Sequence, residues 1–290
     1  MPTAFAEFEN SLEDVIDLDN FPIHLLANRR RTDLVAETRA QMDDVGCCRI
    51  SNFVRPEAVE IMRAEAETLY DKTFWAELNH NPYASPDDQS FPTGHPRRFF
   101  QHRSSGFINS DVLTRDSLLR RIYDSDIVLH FVWECLGVDR PIYRWADVMG
   151  RNPYGVMAPG QTFPWHFDGN EFTVSVLVQR PEAGGVFEYV PDIRTPHAEN
   201  YEQVQAVLEG DREGVHELDL MPGDLQLFKG RFSMHRVTTV GGTIPRYIGL
   251  PTYVHDPYRM NRPYHSLNYY GRSTELHEQR ARVIVDGLED

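Results

Sequence analysis

Two short stretches of the chain carry residues that could bind a metal ion. His166 and Asp168 lie in the run Phe163-Pro-Trp-His-Phe-Asp, and His235 ends the run Gly230-Arg-Phe-Ser-Met-His. Two histidines and one carboxylate can occupy three positions on one face of a six-coordinate metal and leave the other three open. The residue types therefore predict a redox metal centre, most simply Fe(II), at which O2 and an organic co-substrate can bind.

The spacing of His166 and Asp168 supports this interpretation. They end a strand-like run, and residues i and i+2 of a strand point to the same side of a sheet. A His-x-acidic pattern alone is weak evidence, because twelve His and 44 acidic residues predict about two chance matches. One such match, His197-Ala-Glu199, lies between a Pro-containing turn and a helical segment. For His235 the alternative interpretation is a hydrogen-bonded core histidine.

Arg246 follows His235 by eleven residues, on a strand predicted from residue 244 to residue 254. Alternation along that strand places Ile244, Ile248 and Leu250 on the same face as Arg246, and this face is expected to be buried. A buried Arg is costly unless a carboxylate meets it. It is either part of a structural ion pair or a planar fork that grips the distal carboxylate of 2-oxoglutarate.

Taken together, these motifs resemble those of the Fe(II)/2-oxoglutarate-dependent dioxygenases, over roughly residues 141–254. The resemblance rests on His166-Phe-Asp168, Gly223-Asp224-Leu-Gln-Leu-Phe, Gly230-Arg-Phe-Ser-Met-His235-Arg-Val and Arg246. It implies a double-stranded β-helix that uses Fe(II), 2-oxoglutarate and O2 and releases succinate and CO2. It also implies the site residues: iron bound by His166, Asp168 and His235, and 2-oxoglutarate bound by Arg246.

The surroundings of the first motif, His166-Phe-Asp-Gly-Asn-Glu171, resemble a branch that modifies free amino acids. That branch contains both hydroxylases and halogenases. In its halogenating members a small residue replaces the carboxylate and opens a position for chloride. Because this chain has Asp168, the resemblance implies hydroxylation of a small polar substrate, in the first place a free amino acid.

Two residues are candidates for binding that substrate. Asn170 continues the parity of His166 and Asp168, so it is expected to face the pocket. Arg103 follows a long loop and, from its order relative to the iron motif, is expected to bind a substrate carboxylate. For both residues the alternative interpretation is a solvated surface position.

Composition limits the classes of partner. The formal net charge of −15 is spread along 290 residues, which disfavours nucleic acid binding. Cys47, Cys48 and Cys135 lack zinc-type spacing and are interpreted as buried free thiols. No stretch has membrane-spanning length and no signal peptide is recognisable, so a cytoplasmic protein is expected. A homodimer is compatible with the sequence.

Hydrophobic patterns predict mainly helices before residue 140 and mainly strands from residue 141 onward. Helices are expected at 32–45, 55–72 and 115–136, with shorter helical pieces at 200–209 and 274–286. Strands are expected near 141–149, 161–168, 172–179, 185–190, 215–220, 224–229, 234–240 and 244–254. Residues 79–110 have no usable period and predict either a lid or a disordered loop.

This order predicts a mainly β fold with flanking helices (α+β), a jelly roll or cupin-like double-stranded β-helix buttressed by N-terminal helices. A single domain over residues 1–290 is expected. It would comprise an N-terminal helical and lid region (1–140), the β core (141–254) and a C-terminal extension (255–290).

Three other functions fit parts of this pattern. One is a cupin-type metalloenzyme that does not use 2-oxoglutarate and so has no need of Arg246. Another is a phytanoyl-CoA-type dioxygenase that acts on a carrier-bound or lipid-like substrate. The third is a non-catalytic jelly roll that binds a sugar or a protein partner, which would leave the metal ligands without a purpose.

Overall fold

The computed structural model of the chain describes residues 12–281, 283, 287 and 288. In this part of the chain seven α-helices are present, together with three single-turn 3-10 helices. The α-helices are α1 (Arg29–Val45), α2 (Pro56–Thr68), α3 (Leu118–Asp124), α4 (Asp126–Leu136), α5 (Tyr201–Leu208), α6 (Pro263–Tyr270) and α7 (Glu275–Arg280).

Fifteen strands are present in the same residues. They are β1 (Cys47–Ile50), β2 (Phe74–His80), β3 (Gln101–Ile108), β4 (Tyr143–Arg144), β5 (Tyr154–Met157), β6 (Phe163–His166), β7 (Phe172–Gln179), β8 (Ala183–Gly184), β9 (Phe187–Val190), β10 (His216–Leu218), β11 (Leu225–Phe228), β12 (Met234–Val237), β13 (Val240–Gly241), β14 (Arg246–Gly249) and β15 (Thr252–Val254).

The strands form two main antiparallel sheets. The larger sheet has the order β1-β11-β7-β14-β5-β3-β2, with β15 pairing β4 and β7, and the smaller sheet has the order β10-β9-β12-β6. Strand β7 is apolar along most of its length and lies inside the larger sheet, as expected of a strand covered on both faces. The fold is the predicted helix-buttressed double-stranded β-helix.

The N-terminal helices pack on the larger sheet through a continuous apolar core. Phe53 and Phe131 stack at its centre with ring centroids 6.0 Å apart, and both are fully buried. The single helix predicted over residues 115–136 is in fact two helices, α3 and α4. Ser125 separates them because it adopts an extended backbone and its hydroxyl accepts a hydrogen bond from the Val128 amide, which starts a new helix.

The expected boundary at residue 140 does not separate helices from sheet. Strands β2 and β3 lie before it and pair from Phe74 opposite Phe107 to His80 opposite Gln101. Strand β3 also pairs with β5 and so joins both strands to the larger sheet. The prediction that residues 79–110 are a lid or a disordered loop was therefore wrong for β3.

Residues 81–100 form a loop that is tied to the rest of the protein. The fully buried Asn81 amide donates to the Ser85 carbonyl at 3.0 Å and to the Arg97 carbonyl at 2.7 Å. Buried amide groups of this kind hold a loop in one conformation because breaking them leaves unpaired polar atoms.

Two expectations from composition can be compared with the structure. Cys47, Cys48 and Cys135 are buried free thiols, as predicted. Among the described residues, none of the helices combines the length and the apolar character that crossing a membrane requires.

Candidate metal centre

The three predicted ligands meet between the two sheets. His166 ends β6 and lies opposite His235 of β12 in the strand register, while Asp168 follows two residues after His166. One Asp168 carboxylate oxygen (Oδ1) lies 3.4 Å from His235 Nε2 and 3.9 Å from His166 Nε2. Of the described residues, these three form the one group of His, Cys, Asp or Glu side chains that could hold a metal ion. In the chance match, His197 is exposed and Glu199 pairs with Arg194.

Both histidines are oriented for metal binding by their own strands. Nδ1 of His166 lies 2.8 Å from the Pro164 carbonyl, and Nδ1 of His235 lies 3.0 Å from the Ser233 carbonyl. A carbonyl oxygen can only accept, so each Nδ1 carries the proton and each Nε2 is left with a lone pair. Burial, followed by the neighbouring His235, holds the pKa of His166 well below its usual value, which keeps this ring neutral.

Asp168 is held so that one oxygen faces the histidines. Its other oxygen, Oδ2, accepts a 2.7 Å hydrogen bond from the Thr173 hydroxyl, and its backbone N–H donates to the Gly230 carbonyl at 3.0 Å. A Cβ atom on Gly230 would overlap Oδ2, so only glycine leaves room for this carboxylate position. Burial raises the pKa of Asp168, but His235, His166 and Thr173 outweigh it and hold the pKa below its usual value.

Asn170 lines the cavity beside the metal centre, as its parity predicted. Its amide nitrogen donates to the Thr173 hydroxyl oxygen at 2.8 Å, and Thr173 in turn donates to Asp168. Asn170 is therefore part of a short chain of hydrogen bonds that ends on the candidate metal ligand.

Glu171, which has the opposite parity, points away from this cavity. It forms a buried ion pair with Arg259, whose Nη1 lies 2.9 Å from Glu171 Oε1. Nε of the same Arg259 donates to the Gly169 carbonyl at 3.0 Å. The pair fixes the loop that follows Asp168. Sequence reasoning did not find this role, because Arg259 lies far along the chain.

Arg246 is the first residue of β14, lines the same cavity and is only 5% exposed. In the described part of the chain no acidic side chain forms an ion pair with it. Burial lowers the pKa of Arg246 to about 10, so the guanidinium remains cationic at neutral pH. Ile248 is buried beside it as expected. Ile244 is 40% exposed, against expectation, because β14 starts only at Arg246.

The cavity between the sheets has a volume of about 110 Å³. Its walls carry the three candidate ligands and Arg246, and the rest is largely apolar or aromatic: Val156, Met157, Phe107, Phe163, Ile248, Leu250, Tyr269 and Tyr270. The two tyrosines come from α6 in the predicted C-terminal extension. The sequence leaves open whether they line the site or belong to the core, because nothing in their local pattern indicates that α6 packs against β2 and β3.

Arg103 is completely buried and lies behind the cavity wall rather than in it. Its guanidinium carbon is 4.0 Å from the Tyr269 ring centroid and 4.5 Å from that of Phe163, and its Nε donates to the Ser105 hydroxyl at 2.8 Å. Nη1 and Nη2 have no hydrogen-bond partner among the described residues. The alternative of a solvated surface position for Arg103 was therefore wrong.

His80 lies beside Arg103 and was not identified from the sequence. Its ring is 6.4 Å from that of His166 and 6.4 Å from that of Tyr269. Burial, then the charge of Arg103, lowers the pKa of His80 to about 3, so the ring is neutral. Neither ring nitrogen has a hydrogen-bond partner among the described residues. Unpaired polar atoms are thus concentrated on this side of the cavity.

Comparison with known proteins agrees with the geometry. The family model of Halogenase D matches residues 30–262. No curated protein matches the sequence significantly.

Solved structures are similar in fold but distant in sequence. The epimerase SnoN of nogalamycin biosynthesis, a non-haem α-ketoglutarate-dependent enzyme, has a TM-score of 0.51 at 12% identity, over 77% of this chain and 83% of its own. The carbocyclase SnoK of the same biosynthesis has a TM-score of 0.50 at 14% identity, over 75% and 82%. An oxidoreductase of the 2OG-Fe(II) oxygenase family from Burkholderia pseudomallei has a TM-score of 0.48 at 15% identity, over 77% and 91%. The two higher-scoring structures share the double-stranded β-helix.

Proposed function

We propose that this protein, which belongs to the Halogenase D family, hydroxylates an unactivated C–H bond of a free amino acid. The chain is an Fe(II)- and 2-oxoglutarate-dependent oxygenase by family and fold. The reaction that we propose for it is hydroxylation, with release of succinate and CO2. The observation that carries it is the carboxylate of Asp168 among the metal ligands.

A carboxylate at residue 168 favours hydroxylation over halogenation. Halogen transfer at this kind of centre needs an open ligand position for a halide, and Asp168 would occupy that position. The hydrogen bond from Thr173 and the space left by Gly230 hold this carboxylate in place. When bound, iron with 2-oxoglutarate and O2 supplies the oxidising chemistry. The protein residues orient the reactants and exclude water.

Arg246 is the proposed partner of 2-oxoglutarate. A buried guanidinium without an acidic partner among the described residues is unfavourable by itself, and a carboxylate ligand would remove that penalty. The planar guanidinium can donate two parallel hydrogen bonds to the two oxygens of a carboxylate. These considerations favour the 2-oxoglutarate-dependent mechanism over a cupin-type enzyme without this co-substrate.

Arg103 is the proposed partner of the amino acid carboxylate. Its two unpaired nitrogens lie behind the Tyr269 ring, so this ring must turn aside for a carboxylate to reach them. The Tyr269 hydroxyl has no hydrogen-bond partner among the described residues that would hold the ring. Asn170, which lines the cavity, is the second proposed substrate contact.

A phytanoyl-CoA-type activity on a carrier-bound or lipid-like substrate is the second candidate. The cavity volume of about 110 Å³ is small for such a substrate. Pockets that bind drug-sized ligands typically have volumes of about 300–1,000 Å³. A free amino acid fits the cavity better.

The test measures succinate formed from 2-oxoglutarate with Fe(II), ascorbate and air, across free amino acids and against a blank without substrate. One amino acid should raise succinate well above the blank and gain a single oxygen atom by mass spectrometry. The His235→Ala variant should show neither. A chlorinated product from the unaltered protein in chloride buffer would overturn the hydroxylase assignment.

A further inference from the structure

We infer that the carbon chain oxidised at this site is uncharged: the substrate is an aliphatic amino acid, not a basic or an acidic one. This inference rests on the proposed function and specifies its substrate class. It is carried by the charges that line the cavity and by the way each of them is already engaged.

Asp168 is the only acidic residue among the described residues that line the cavity. Oδ2 of Asp168 accepts from Thr173, and Oδ1 faces the Nε2 atoms of the two histidines, where a metal ion would bind. Neither oxygen of Asp168 is therefore available to a cationic group of the substrate. The wall therefore offers no free carboxylate to the α-ammonium group of the substrate, and a second ammonium group on its side chain would have none either.

Two further carboxylates lie near the cavity but are turned to other partners. Asp147 accepts from the Met149 and Gly150 amides at 2.9 Å and 3.1 Å, and its second oxygen lies 3.1 Å from His277 Nε2. Glu171 is paired with Arg259. Neither residue lines the cavity. Moving a second ammonium group from water into this cavity would therefore cost its hydration, and no carboxylate would compensate for the loss.

An acidic side chain is excluded by the same reasoning. Arg246 is the only Arg or Lys among the described residues that line the cavity, and it is assigned to 2-oxoglutarate. Arg103, behind the wall, is assigned to the α-carboxylate. Among the described residues that line this cavity, no further guanidinium or ammonium group would meet a third carboxylate; the next arginines, Arg259 and Arg262, line the adjoining pocket.

The rest of the wall is largely apolar and suits a hydrocarbon chain, although it also carries polar side chains, among them Ser175, Gln226, Asn261 and His265. Phe107, Val156, Ile248 and Leu250 line it, and Phe107 and Ile248 are buried. Gly155 leaves little space to spare, because a Cβ atom there would lie 3.1 Å from Ile248 and 3.3 Å from Leu250. Apolar contact of this kind favours methyl and methylene groups and penalises charged ones.

Norleucine and ornithine form the sharpest comparison, because ornithine has an ammonium group where norleucine has a methyl group. Coupled succinate formation should have a kcat/KM at least about a hundredfold higher for norleucine or leucine than for lysine, ornithine or glutamate. Anaerobic calorimetry of the Fe(II)- and 2-oxoglutarate-loaded enzyme should show the same order in binding. Equal or better turnover of a charged amino acid would overturn the inference and leave the proposed function standing.

A pair of variants tests the charge of the wall directly. Leu250→Glu places a carboxylate on it, and Leu250→Gln is the uncharged control of the same shape. The ratio of kcat/KM for norleucine to kcat/KM for ornithine should fall at least about tenfold further in Leu250→Glu than in Leu250→Gln. An identical ratio in two folded variants would contradict the inference. If no amino acid stimulates succinate formation while slow uncoupled turnover persists, the proposed function fails and the inference fails with it.

Discussion

Thr173 on β7 donates its hydroxyl proton to Oδ2 of Asp168 at 2.7 Å, and this bond sets which carboxylate oxygen faces the two histidines. Thr173→Val keeps the shape of the side chain and removes the donor. Partners of metal ligands typically contribute 10–100-fold to metal affinity. We therefore expect a roughly tenfold or greater loss in Fe(II) affinity, measured by anaerobic metal titration.

Thr173→Ser retains the hydroxyl and serves as the matched control, so its Fe(II) affinity should stay within about threefold of the unaltered protein. Equal affinities for the Val and Ser variants would mean that the Thr173 hydroxyl does not position Asp168.

Asp168→Gly removes the carboxylate and leaves the two histidines in place. Hydroxylation of the amino acid should be lost, because the metal loses one of its three protein ligands. The variant also opens the ligand position at which a halide could bind. Mass spectrometry of products formed in chloride buffer should show no hydroxylated product and is the test for a chlorinated one. Hydroxylation at the unaltered rate would show that Asp168 is not a ligand.

Gly230→Ala should disrupt the centre through steric overlap, since its Cβ would occupy the space of Asp168 Oδ2. Fe(II) affinity should fall even though no ligand has been replaced. In the Asp168→Gly background the three atoms nearest to that Cβ position, all from the Asp168 side chain, are absent. The thermal stability cost of Gly230→Ala should therefore be smaller in that background, and equal costs in both would contradict this geometry.

Arg246→Lys keeps a positive charge but loses the planar fork. A lost charged hydrogen bond is worth about 1.5–3 kcal/mol, so the apparent KM for 2-oxoglutarate should rise roughly 10–100-fold. Arg236→Lys, on β12 of the smaller sheet, is the control, because Arg236 pairs with Glu188 instead of lining the cavity. A KM unchanged in the Arg246 variant would assign 2-oxoglutarate to another residue.

Phe131→Ala tests the core beneath the helices. Phe131 is fully buried and stacks on Phe53, so its removal should lower the free energy of unfolding by about 3–5 kcal/mol. Ile61→Ala, at a position that is 58% exposed, should change it by less than about 1 kcal/mol. Urea unfolding measures both, and similar losses in the two variants would contradict the described packing.

The candidate metal centre was predictable from the sequence because two of its three residues are close together in the chain. His166 and Asp168 are two residues apart on one strand end, and a period of two places them on one side. His235 required a motif on another strand, and its pairing with His166 in the register agrees with that expectation.

Other features depend on contacts between residues that are distant in sequence. Strand β3 contains Ser104, Ser105 and Gly106, which give no clear alternation, and it is stabilised by pairing with β2 and β5. The burial of Arg103 follows from α6, which places Tyr269 over it. Propensity and period contain no information about such long-range packing.

The order of the larger sheet gives the N-terminal strands a protective role. With β1 at one end and β3 and β2 at the other, residues before 141 cover β11 and β5. A fragment consisting of residues 141–254 would present both of these strands with unpaired backbone groups. Exposed edges of that kind are templates for pairing between molecules. The N-terminal strands thus cover two edges of the β core that could otherwise pair between molecules. We expect such a fragment to aggregate under conditions in which the whole chain stays in solution.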